Sequence, residues 1–201
     1  EHIYIGSADR NFYVFNADGS IAWTFPTGEI IDSAAVITRE GDATRVTVPS
    51  GDGFLYHLDA SASIVNPQDR VLWAFDSSKH RHPTDIGYNW FEGNVVAGPD
   101  GTLYAGNTNW NYYALDPLTG ALKFRYLTNN MNWSAGAFDN EGNIVWTSLD
   151  FHVRKYDPLA QQEQWKFLAL GFISASVALG SDQRAYVGTF DNNFYALDVA
   201  T

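Results

Sequence analysis

One fourteen-residue phrase returns five times along the chain: Ile3–Asn16, Val46–Asp59, Leu103–Asp116, Ile144–Asp157 and Ala185–Asp198. Each copy is two short apolar runs around a polar turn, the pattern of a β-hairpin. Each closes on Asn or Asp, at 16, 59, 116, 157 and 198, so the steps are 43, 57, 41 and 41 residues. Seven residues before each closing position stands another Asp or Asn: Asp9, Asp52, Asn109, Asp150 and Asp191. A strand-only unit near forty residues restricts the chain to a solenoid or a ring of blades.

The second half of the unit repeats as well. Trp23, Trp73, Phe124 and Trp165 follow the closing residues, and a run of small residues follows each aromatic: Ser33–Val36, Gly93–Val96, Ser134–Ala137 and Ser174–Val177. Small side chains suit a strand where several sheets converge. The expectation is therefore four antiparallel strands per repeat: inner strand A from the small run, B and C from the hairpin, and outer strand D from the aromatic segment. That is the anatomy of an all-β propeller. Residues 33–37 are expected as strand A of the second repeat, with a polar A–B loop from Thr38 to Arg45. The second repeat is also the irregular one, with a lengthened C–D connection at 60–70 and an insertion in its D–A connection at 76–91.

The segment Ala114-Leu115-Asp116-Pro117-Leu118-Thr119-Gly120-Ala121-Leu122-Lys123-Phe124 resembles the tryptophan-docking repeat of quinoprotein (PQQ-like) β-propellers, which reads Ala-x-Asp, then Thr-Gly, then Trp four residues on. Phe124 departs from that Trp. Asn16, Gly19 and Trp23 match a shortened form, and Asp157 with Trp165 match without the Thr-Gly. Four inner strands, five hairpins and four outer strands make about five consecutive blades, one segment over residues 1–201. The family usually has seven or eight blades, so the expectation is part of such a ring, incomplete at both ends; the alternative is a ring of five with one imperfect blade. The resemblance also implies a periplasmic or extracellular setting.

Net charge is −11 and cysteine is absent. The acidic balance argues against a nucleic-acid partner, which needs clustered Lys and Arg, and against anionic lipid. No apolar run is long enough for membrane insertion as a helix. Without cysteine there are no disulfides and no thiolate metal sites. Aromatics make up 15% of the chain, and each removes roughly 150–250 Å² from water when buried, enough to cement neighbouring blades.

Strand alternation puts the D–A and B–C loops on one face. The D–A loops carry Asp32, Tyr88, Asn89, Trp90, Glu92, Asn132, Trp133 and Phe172. Leading into the inner strands, they are expected to ring the channel mouth as a binding site for a small ligand or a protein partner. The competing expectation is that these aromatics plug the channel or pack blade against blade. The recurrent Asp/Asn of the B–C turns reads as turn chemistry rather than calcium ligation, which needs more oxygens. His80 and His82 are a sparse metal candidate. Asn132-Trp133-Ser134 matches a glycosylation sequon but enters an inner strand, so it is expected to be accidental.

The family's enzymes use pyrroloquinoline quinone and calcium with an Asp base and a Glu/Asn metal pair. Glu92 with Asn94 is the nearest equivalent, and no Asp base is assigned, so no catalytic residue is expected. The leading expectation is a non-catalytic scaffold or binding module without a cofactor. The alternative is a fragment of a PQQ-dependent alcohol or sugar dehydrogenase, whose catalytic residues would lie in other blades. The remaining propeller blades would be a partner in either case.

Overall fold

The computed structural model describes residues 2–80 and 88–200. Among the described residues, eighteen strands form five antiparallel sheets in chain order. The first holds β1 (His2–Gly6), β2 (Asn11–Asn16) and β3 (Ile21–Pro26). The second holds β4 (Val36–Glu40), β5 (Ala43–Pro49), β6 (Phe54–Asp59) and β7 (Val71–Asp76). The third runs β8 (Val96–Ala97), β9 (Leu103–Gly106), β10 (Asn111–Leu115) and β11 (Leu122–Leu127). The fourth runs β12 (Ala137–Phe138), β13 (Ile144–Thr147), β14 (His152–Asp157) and β15 (Gln162–Leu168). The fifth holds β16 (Ala178–Leu179), β17 (Arg184–Gly188) and β18 (Phe194–Asp198). All five hairpins pair antiparallel, as in Tyr104 opposite Ala114 and Val145 opposite Lys155.

Two expectations need correction. The small runs mostly precede the inner strands: regular pairing starts only at Val36, Val96, Ala137 and Ala178. The stretch from Thr38 to Arg45 is not a loop, because β4 and β5 run through it and leave only a two-residue turn containing Gly41 at φ 59°. The reason lies in neighbouring backbones. Val95 N–H donates to Ala34 O at 3.2 Å, Ala34 N–H to Asn94 Oδ1 at 2.6 Å, and Ala135 N–H to Ser176 Oγ at 2.9 Å. The small runs spend their backbone groups on the adjacent sheet instead of their own. A Cβ added at Gly93 would stand 3.1 Å from Ser134 O. The small residues do mark the convergence of the sheets, one step before each ladder begins.

Apolar clusters fill the spaces between successive sheets. Phe12, Val14 and Phe25 pack with Val46, Val48 and Leu58, and Leu55, Phe75 and Phe91 pack with Leu103 and Tyr113. The outer aromatics dock forward. Trp73 Nε1 donates to Pro117 O at 3.0 Å and lies where a Cβ on Gly120 (φ 70°) would come within 2.6 Å of its ring. Only glycine combines that left-handed backbone with that close approach. Trp165 Nε1 reaches Val199 O at 3.2 Å. Trp23 instead receives the Arg70 guanidinium 4.1 Å above its ring, and Phe124 meets Tyr156 at 5.5 Å. Arg70 is buried and donates to Asp59 O, Ser61 O and Ile64 O, which folds the long 60–70 connection onto the blade.

Candidate functional site

The site grows from the B–C turns. In every turn the fourth residue is left-handed: Arg10, Gly53, Trp110, Phe151 and Asn192, with φ between 65° and 87°. The preceding Asp or Asn holds that geometry. Its side chain accepts the N–H two residues on, as at Asn11, Phe54, Asn111, His152 and Asn193. The same side chain also grips the residue four positions on. Tyr13, Tyr56 and Tyr195 donate to Asp9, Asp52 and Asp191 at 2.7–2.8 Å. Asn109 Nδ2 donates to Tyr113 Oη at 2.8 Å, and Arg154 takes both oxygens of Asp150 at 2.9 and 2.5 Å. This Asp/Asn-x-x-x-Tyr/Arg spacing is visible in the sequence, where it is the signal for the clamp.

Each D–A loop is then clamped between two turns. Thr27, Ser77, Thr128 and Ala169 donate backbone N–H groups to Arg10, Gly53, Trp110 and Phe151. From the next sheet, Gly51, Thr108, Leu149 and Phe190 donate to Ile30, Trp90, Met131 and Phe172. The next turn's carboxylate accepts from the loop at Gly28, Asn129 and Leu170. Turns and loops therefore form one hydrogen-bonded face. In the second repeat Asn89 closes the circuit: its Oδ1 accepts from Ser77 Oγ at 2.9 Å and Asn109 Nδ2 at 2.7 Å.

The expected site residues divide accordingly. Asn132 is fully buried, bonded through Nδ2 to Thr128 Oγ1 and through its backbone to Asn107. It holds the loop, and the sequon beginning on it is not open to solvent. Asn89 is likewise spent inside the face. Asp32, Glu92 and Trp133 occupy equivalent positions on three successive loops. Trp133, 39% exposed, lies beside Glu92. Burial raises the Glu92 carboxyl above its ordinary range, the Asp32 carboxylate adds to the rise, and the Trp133 indole only partly offsets it. Tyr88 packs on Trp90 at 5.1 Å, and Phe172 stacks on Phe151 at 4.7 Å. Tyr88 and Phe172 remain well exposed. His80 stacks on Phe75 at 4.9 Å; His82 lies outside the described residues. Among the described residues, no three His, Asp or Glu side chains are grouped to hold a metal ion.

Five radial antiparallel sheets, docked by outer aromatics and capped by Asp/Asn turns, define a PQQ-like β-propeller. The chain belongs to the PQQ-repeat family described as outer membrane protein assembly factor BamB, whose model matches residues 59–201. Solved structures show the same fold. BamB from Moraxella catarrhalis superposes with a TM-score of 0.72 at 15% identity, over 99% of this chain and 58% of that one. The WD40 β-propeller domain of Doa1 gives 0.73 at 17% identity, over 97% and 60%. Lambda-carrageenases of Pseudoalteromonas sp and Pseudoalteromonas carrageenovora are 30% and 29% identical over 63 residues, 31% of this chain and 7% of each enzyme. The chain thus spans about three fifths of the propeller structures it matches.

Proposed function

We propose that this chain is a non-catalytic binding module whose D–A/B–C loop face receives a protein partner. One observation carries the reading: every loop of that face is tied to the turns on either side, while Tyr88, Trp133 and Phe172 stay solvent-exposed beside Asp32 and Glu92. A preorganised platform with exposed aromatics loses little entropy on association, and aromatics anchor protein interfaces. Likeness to BamB and WD40 propellers supports a scaffold role. Membership of a family described as an outer-membrane assembly factor supports a periplasmic or extracellular setting. Among the described residues no helix is long and apolar enough to cross a membrane. Neither quinone nor calcium has a part in this reading, and the carrageenase matches do not favour the dehydrogenase alternative.

Photo-cross-linking tests the face. Benzoylphenylalanine replaces Trp133 or Phe172 on the proposed face, or Leu118 on the opposite C–D turn, in the full-length protein in its native compartment. Discrete cross-linked products are expected from 133 and 172 and not from 118. Products from 118 alone would reverse the assignment.

A further inference from the structure

The five turns and four loops follow one plan, so departures from it stand out. The second turn position is Ala8, Gly51, Thr108 and the buried Leu149 in the first four sheets, but Phe190, 70% exposed, in the fifth. The second D–A position is Gly28 and Asn129, then Leu170, 83% exposed. Nothing in the latch requires these side chains, because Phe190 and Leu170 join it through backbone N–H groups alone. They adjoin Phe172, whose carbonyl takes the Phe190 N–H and whose ring stacks on Phe151. Exposed Leu170, Phe172 and Phe190, with Phe151 stacked on Phe172, therefore fall on one sector of the face. On the rest of that face acids outnumber cations among the described residues: the loop at 27–35 carries Glu29 and Asp32, with Arg10 of the first turn 3.6 Å from Glu29, and the next loop carries Glu92, with Lys79 paired to Asp76 at its start. The loops at 128–136 and 169–177 carry no charge.

Resting on the proposed binding role of this face, we infer that its partner is a polypeptide segment presenting apolar side chains next to Lys or Arg. The apolar side chains seat on Leu170, Phe172 and Phe190, and the cations lie towards Asp32 and Glu92. Charge complementarity selects this occupant. A second copy would set −11 against −11, and an anionic lipid surface is repelled in the same way.

Anisotropy titrations with labelled twelve-residue peptides test the inference: alternating Leu/Lys, alternating Leu/Glu and alternating Ser/Lys. Leu/Lys is expected to bind at least about tenfold tighter than either other peptide, because only it offers both apolar burial and a cation. L170N/F190T, which restores the residues of the third loop and turn, should weaken Leu/Lys about tenfold with an unchanged melting temperature. D32N/E92Q should weaken it by about threefold and flatten its salt dependence. Leu/Glu binding as well as Leu/Lys, or L170N/F190T binding Leu/Lys like the parent, overturns the inference, as does sedimentation with phosphatidylcholine vesicles without peptide binding. Cross-links from 133 and 172 alongside such a result would leave the binding role standing and remove only this partner chemistry.

Discussion

The B–C turns of the fourth and fifth sheets are the same turn in two environments. Both place Asp third, a left-handed residue fourth and a partner four positions on, and both accept an N–H from the preceding loop. In the fifth, Asp191 lies at the surface with Tyr195, Thr189 and Asn193 as donors, and these hydrogen bonds hold its carboxyl well below the usual range. In the fourth, Asp150 and Arg154 are both almost fully buried. Desolvation alone would raise the Asp150 carboxyl, but the hydrogen bonds and charge of Arg154 outweigh it, and the net shift is downward. One sequence plan thus yields a solvated clamp at one position and a buried ion pair at the other. Burial, not spacing, sets what the clamp is worth.

Asp150→Ala strands the Arg154 guanidinium in the interior and should cost about 3–5 kcal/mol. Asp191→Ala should move the denaturant midpoint far less, because water replaces the lost partner. Equal losses in urea titrations would break the comparison. The pH dependence sharpens it. The folded Asp150 carboxyl titrates below its unfolded counterpart, so its stability is full above about pH 4 and drains away as pH falls through the folded value. D150N should lose that acid-side slope.

Left-handed glycines offer the same contrast at smaller scale. Gly120→Ala meets both a positive φ and the Trp73 ring and should cost about 2–4 kcal/mol. Gly19→Ala, at φ 85° with open space around it, should cost about 1–2 kcal/mol. Thermal melts of the pair separate conformation from contact.

Asn89→Ala removes the acceptor shared by Ser77 and Asn109 and should cost about 1–3 kcal/mol, without touching the exposed aromatics. The mildest effect belongs to His57. It is buried, bonded to Thr47 Oγ1 at 2.8 Å and stacked on Trp73 at 4.7 Å, and burial lowers its pKa despite the nearby Glu40. The folded chain therefore prefers the neutral ring: stability is full above the unfolded value of about 6.5 and falls as pH drops below it. H57Q should flatten stability between pH 7 and 5.

Much of this was legible in the residues. Period, hairpin register and the docking of Trp73 and Trp165 follow from local spacing. The inner strands were misplaced because small residues signal close backbone approach, and a neighbouring sheet satisfies that signal as well as a strand's own ladder does. At Asn89 and Asn132 the sequence does not distinguish, because an Asn bonded to neighbouring side chains and one facing solvent read identically. That exposed Leu170, Phe172 and Phe190 share one sector depends on the latch between two sheets, which no single repeat reveals.

The platform depends on that latch, and amide hydrogen exchange reads it directly. The N–H groups of Thr108, Leu149 and Phe190, each bonded across to the preceding loop, should exchange as slowly as those of the hairpins they cap. Exchange at the rate of open loops would show turns and loops moving apart, and the face would be no platform at all.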